Sequence, residues 1–81
     1  MKIIEMYSAT KTVYYFGLTL EVPEWVSYIT VDSYGNLFGF DDENTPWKTK
    51  DGLWDSDGRC DILAKVDLNG AEWEQSLLTY K

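Results

Sequence analysis

Histidine is missing from this sequence of 81 residues, and cysteine occurs only once. Without His the commonest acid–base side chain near neutral pH is gone. A Ser-His-Asp or Cys-His pair cannot be built, and the usual Cys/His zinc sites are excluded. A lone Cys60 forms no intrachain disulfide, which suits a reducing cytoplasm. It reads as a small strand residue with only Arg59 beside it as an activator. Phosphate-cradling motifs of the G-x-x-x-x-G-K-S/T or G-x-G-x-x-G type do not occur. No stretch approaches the ~20 apolar residues of a membrane span, and MKIIEMYSATK lacks an apolar run long enough for a secretory signal. The expectation is a soluble, cytoplasmic protein.

Bases are also scarce. Seven Lys and Arg stand against 14 acids, a formal net charge of −7. Bare nucleic acid and anionic membranes are poor partners for such a chain, and a basic protein surface is a better one. The same charge also keeps a protein soluble. Two carboxylates alone can run glycoside hydrolysis, but 14 acids always offer pairs, and a chain this short seldom forms a deep cleft. The expectation is a protein that is not an enzyme and takes no cofactor or metal.

Aromatic residues, by contrast, are abundant at 16%, with four Trp, six Tyr and three Phe. They let a small domain bury much area with few residues. The length allows one domain, residues 1–81.

Residues 2–7, KIIEMY, read as a possible strand. In TVYYFGLTLEV, Leu18, Leu20 and Val22 alternate with Thr19 and Glu21, the two-residue period of a half-buried strand. Val13 and Tyr15 oppose Thr12, Tyr14 and Phe16, and a turn falls near Gly17. Pro23 ends the second run, and PEW reads as a turn or a single helical turn that folds Trp25 back onto the core. Tyr28–Val31 and Leu37–Phe40 form a hairpin around Asp32–Asn36, with Gly35 available for positive φ. In DILAKVDL, Ile62, Ala64, Val66 and Leu68 face one way, with Leu63 as the exception. NGAEWEQSLLTY reads as a helix: Asn69 can cap it, Glu72 stands at capping-box spacing, and Trp73, Leu77 and Tyr80 fall on one face. The sum is an α+β fold, a small antiparallel sheet of four to six strands with one C-terminal helix. A small SH3-like β-barrel is the alternative.

One stretch resists this periodicity. FDDENTPWKTKDGLWDSDGRCD, from Phe40 to Asp61, carries seven acids against three bases, a net of −4. Its Asp, Asn, Gly and Pro content reads as loop, with room for short strand fragments around Trp47 and Trp54. Within it DSDG resembles part of an EF-hand calcium loop, but Leu53 then falls at the first ligand position and Ala64 at the last, so the pattern fails. DSDG reads as a β-turn instead. The candidate partner-binding residues are Asp41, Asp42, Glu43, Trp47, Asp51, Trp54, Asp55 and Asp57. Each Trp is either an anchor that pins the loop or an exposed hot spot. The acids suit a basic protein groove. They also suggest nucleic-acid mimicry, which the intervening Lys48, Lys50 and Arg59 weaken. A different reading is a small structural or assembly module that self-associates through a strand edge; the oligomeric expectation is monomer or homodimer.

Leu20 to Phe40 carries Val22, Pro23, Trp25, Tyr28, Ile29, Asp32 and Gly35, then Phe38 and Phe40. This V-P-x-W-x-x-Y-I-x-x-D-x-x-G segment resembles small uncharacterised proteins of tailed bacteriophages. A later Trp (Trp47 or Trp54) and W-x-x-S-L at Trp73, Ser76 and Leu77 extend the resemblance. It implies a protein at work in the cytoplasm of an infected host cell. There it would bind and inhibit or redirect a host protein of the restriction, CRISPR or transcription machinery.

Overall fold

The computed structural model describes residues 10–42 and 45–80. The expected strand at 2–7 and the candidate Glu43 lie outside those residues. Among the described residues there are eight strands in three antiparallel sheets.

Thr10–Tyr15 (β1) and Leu18–Pro23 (β2) form a two-stranded arm. Its turn, Phe16–Gly17, has φ of +45° and +84°. A two-residue turn with both φ positive matches the twist of the flanking strands, and Gly is at ease there while Phe is not. Val13, Tyr15 and Val22 are buried while Thr12, Tyr14 and Thr19 are exposed, as alternation predicts. Lys11 lies opposite Val22, and its Nζ donates to the Val26 carbonyl at 2.7 Å. The chain turns at Pro23–Val26, where the Val26 N–H meets the Pro23 carbonyl at 3.1 Å.

Tyr28–Val31 (β3) and Asn36–Phe40 (β4) pair as expected. Their turn is built on Asp32, which is fully buried. Its carboxylate accepts from Tyr34 N, Asn36 N and Asn36 Nδ2 at 2.9, 3.0 and 3.2 Å, which offsets the cost of burying a charge. These strands are the centre of a four-stranded sheet completed by Cys60–Lys65 (β7) beside β4 and Leu78–Thr79 (β8) beside β3. Trp47–Lys48 (β5) and Trp54–Asp55 (β6) form a small separate hairpin.

Register assigns the faces of the large sheet. Val31 opposes Leu37 and Ile29 opposes Gly39 on one face. There Ile29, Val31 and Leu37 join Val13, Tyr15, Val22 and Val26 in the main core. Each such burial stabilises by roughly 1.5–3 kcal/mol. A Cβ on Gly39 would lie 2.8 Å from Val26 Cγ2, so this position needs glycine for space. Tyr28 opposes Phe40 and Thr30 opposes Phe38 on the other face. Tyr28, Phe40 and Thr30 are buried there too.

Two expectations are corrected. First, the C-terminal helix does not form, so the fold is a set of small antiparallel sheets rather than α+β with a helix. Asn69 and Gly70 have φ of +48° and +85°, and Ala71 N donates to the Leu68 carbonyl at 2.8 Å. Asn-Gly thus makes a β-turn, the conformation that pair favours most, instead of a helix cap. Only a 3-10 turn, Trp73–Gln75, follows. A helix of a dozen residues is marginal in water, whereas β8 gains hydrogen bonds on β3 through Tyr28–Thr79 and Ile29–Leu78. Trp73, Leu77 and Tyr80 consequently share no helix face. Nor do the described strands close into a barrel: they divide into sheets of two, four and two strands.

Second, Ile62 and Leu63 of β7 present the faces opposite to those that alternation predicts. Leu37 pairs with Ala64 but Phe38 pairs with Ile62, so Leu63 is the extra residue of a β-bulge. Leu63 packs on the core and Ile62 is 58% exposed. Val66 and Leu68 do reach the core, as expected.

Candidate functional site

The segment between β4 and β7 is the acidic stretch, and it is tied to the rest of the molecule at several points. Asp41 N donates to the Arg59 carbonyl at 3.0 Å, and Arg59 N returns a bond of 3.0 Å to the Asp41 carboxylate. The Arg59 guanidinium lies 4.1 Å from the centre of the Trp25 ring, a cation–π contact. It also sits 3.8 Å from Asp61, but both side chains are more than half exposed and that pair contributes little.

The β5–β6 hairpin is held by its middle. Thr49 Oγ1 accepts from Asp51 N and Leu53 N, and Thr49 N donates to the Leu53 carbonyl at 2.8 Å. Ser33 N donates to the Gly52 carbonyl at 2.8 Å, which fixes the hairpin tip to the β3–β4 turn. Trp54 is half-buried. Its indole Nε1 donates to the Val31 carbonyl at 3.1 Å, and its ring meets Trp73 edge-on at 6.2 Å. Trp54 is therefore an anchor. Trp47 is not: it is 44% exposed, and register sets it beside Asp55 on the hairpin face opposite Trp54.

Of the remaining candidates, Asp42, Asp51, Asp55 and Asp57 are exposed, while Asp41 is half-buried and engaged with Arg59. Exposed Lys48 and Lys50 lie in the same hairpin. DSDG is a pair of local turns: Ser56 N donates to the Asp55 carboxylate at 2.8 Å and Gly58 N to Ser56 Oγ at 3.2 Å. Among the described residues no group of three or more His, Cys, Asp or Glu is arranged to hold a metal ion.

Cys60 is an exposed free thiol. Desolvation raises its pKa, and the carboxylates of Asp55, Asp61 and Asp41 raise it further, which disfavours the thiolate. Among the described residues no helix is long and apolar enough to cross a membrane.

A second feature escaped sequence reasoning. The β1–β2 arm ends in exposed Tyr14, Phe16 and Leu18. Beside that tip lies a hollow of about 520 Å³, lined by Phe16, Leu18, Val66 and Leu68 together with Asp67 and Glu72. The signal was the unbroken run Val13 to Phe16, apolar on both strand faces. The other wall depends on the Asn69–Gly70 turn, which the expected helix concealed.

In comparisons with known proteins, the chain matches no protein-family model, no curated protein and no solved structure.

Proposed function

We propose that this protein works by binding another protein through the acidic segment, and that the partner presents a basic surface. The observation that carries the reading is an ordered display of charge. Asp42, Asp51, Asp55 and Asp57 project from a segment that backbone bonds, Trp54 and the Arg59–Trp25 contact tie to the sheet. A tethered acidic surface steers a basic partner and loses less conformational freedom on binding than a free loop would. Trp47 adds an exposed aromatic of the kind that dominates interfaces. In the setting implied by the phage-like segment, the partner is a host protein that is inhibited or redirected. Lys48 and Lys50 break the run of negative charge, which favours a protein groove over strict imitation of a nucleic acid.

The test is capture from bacterial lysate by the immobilised protein, at low and at high salt, against D42N/D51N/D55N/D57N. Asp41 is left intact because it holds Arg59. The reading expects the captured proteins to be lost both in the variant and in high salt. Equal capture by the variant would overturn it.

A second reading, self-association through a sheet edge, is favoured by β7, an edge strand on which only Leu63 is partly buried and Ile62 is exposed. Sedimentation separates the two: a monomer at micromolar concentration removes the second.

A further inference from the structure

We propose that the hollow beside the β1–β2 tip is the apolar half of the binding surface, and that it takes an apolar side chain from a basic segment of the partner. The inference rests on the protein-binding reading above and adds a place and a chemistry. Its volume of about 520 Å³ falls within the range of ligand-binding clefts. Phe16, Leu18, Val66 and Leu68 supply apolar wall, so the group that fills it is apolar. Both charged residues among its lining, Asp67 and Glu72, are acids. An apolar group flanked by Lys or Arg is matched on both counts, whereas an acidic occupant meets repulsion. A second copy of this chain would bring its own net charge of −7 onto the same acids.

The tip itself is poorly explained by folding alone. Phe16 holds φ of +45°, a region in which a side chain costs free energy, and it remains 62% exposed. Asn or Gly would suit that turn position better. Glu72, on the wall of the hollow, precedes Trp73, whose ring meets Trp54.

The experiment is amide NMR on the labelled protein with three synthetic peptides of equal length: alternating Leu-Lys, Leu-Glu and Ser-Lys. The proposal expects saturable shifts at residues 15–18 and 66–72 with Leu-Lys, at concentrations about tenfold lower than with either other peptide. F16N and L18S, both at exposed positions, keep a dispersed spectrum and weaken Leu-Lys binding about tenfold, a loss of roughly 1.4 kcal/mol. D67N/E72Q weakens it several-fold and flattens its salt dependence. Equal binding of Ser-Lys or of Leu-Glu would overturn the proposal, as would shifts confined to 41–59.

The variants keep the two ideas separable. If L18S and F16N bind like the wild type, the hollow is not the site, whatever D42N/D51N/D55N/D57N does. If only the quadruple variant loses binding, the acidic-segment reading stands and this inference falls. If only F16N and L18S lose it, the hollow stands without the acidic segment. Self-association abolished by L18S would assign the hollow to a second copy and overturn the partner proposed.

Discussion

Two hairpins lie outside the four-stranded sheet, and they are held by different physics. The β1–β2 arm has six residues in each strand and sinks Val13, Tyr15 and Val22 into the main core. Its attachment is apolar burial, reinforced by the Tyr15 hydroxyl donating to the Ser76 carbonyl at 2.6 Å. The β5–β6 hairpin has two residues per strand and contributes no residue to that core cluster. It hangs on directional bonds, Ser33–Gly52 and Trp54–Val31, with Trp73 against the anchor ring. Apolar burial scales with area and couples an element to global unfolding, whereas a few hydrogen bonds of about 1 kcal/mol each allow it to open alone. A segment rich in charge has little apolar area to bury, so polar ties are the means available to it.

The hardest way to break that contrast is Tyr15→Ala. Truncating a buried aromatic costs about 3–5 kcal/mol, a large part of a small domain's stability. Urea unfolding followed by tryptophan fluorescence should show a large loss in the midpoint, or a chain that no longer folds.

The same residue gives a pH test. Burial pushes the Tyr15 phenol from its ordinary value of 10 up to about 12. The native state then binds the proton more tightly than the unfolded chain, so this contribution is complete below pH 10. It falls away as pH rises through about 12. Denaturant unfolding at pH 8 and pH 11.5 should show a steeper decline for the wild type than for Tyr15→Phe. Parallel declines would contradict a buried phenol.

On the other hairpin, Trp54→Phe keeps a ring and removes the indole N–H. The Val31 carbonyl keeps a share of the Ser76 hydroxyl proton, whose oxygen lies 3.0 Å from it and 2.7 Å from the Trp73 carbonyl. The expected cost is about 1 kcal/mol. Hydrogen exchange should show the amides of Ser33 and Thr49 losing protection while those of Val13 and Leu20 keep theirs. Equal loss in both regions would mean that the two hairpins open together.

The smallest effect concerns the sheet face opposite the main core. Thr30 is fully buried and its hydroxyl has no hydrogen-bond partner. Thr30→Val removes that unpaired group at nearly constant volume, and stability should rise by up to about 1 kcal/mol. A loss in thermal unfolding would show that the hydroxyl is satisfied in solution.

Much of the central fold was legible locally. The Tyr28–Val31 and Leu37–Phe40 pairing followed from alternation and from Asp-Ser-Tyr-Gly-Asn turn chemistry, and the β1–β2 turn fell at Gly17. The β7 faces were not legible, because a bulge at Leu63 shifts the phase, and the adjacent apolar pair Ile62–Leu63 does not by itself say which of the two faces the core. Residues 69–80 were misread for a related reason. Asn69, Glu72, Trp73, Leu77 and Tyr80 satisfy helix spacing, yet Asn-Gly satisfies a turn, and only the open edge of β3 decides between them. The candidate site was half legible: the acids of 41–59 are visible in composition, but the separate fates of Trp47 and Trp54 are not.

By itself the sequence determined what chemistry is missing, through the lack of His and the single Cys, and it determined the sign of the surface. Its local patterns placed the strands from Thr12 to Phe40. Only the tertiary structure decided which tryptophan anchors and which is displayed, that the C-terminal residues pair as a strand, and that Phe16 and Leu18 border a hollow with acids on its wall. Composition, turns and alternation are properties of neighbours along the chain. Anchors, edges and hollows arise between residues far apart in it, where competing local preferences are settled by what each gains in contact.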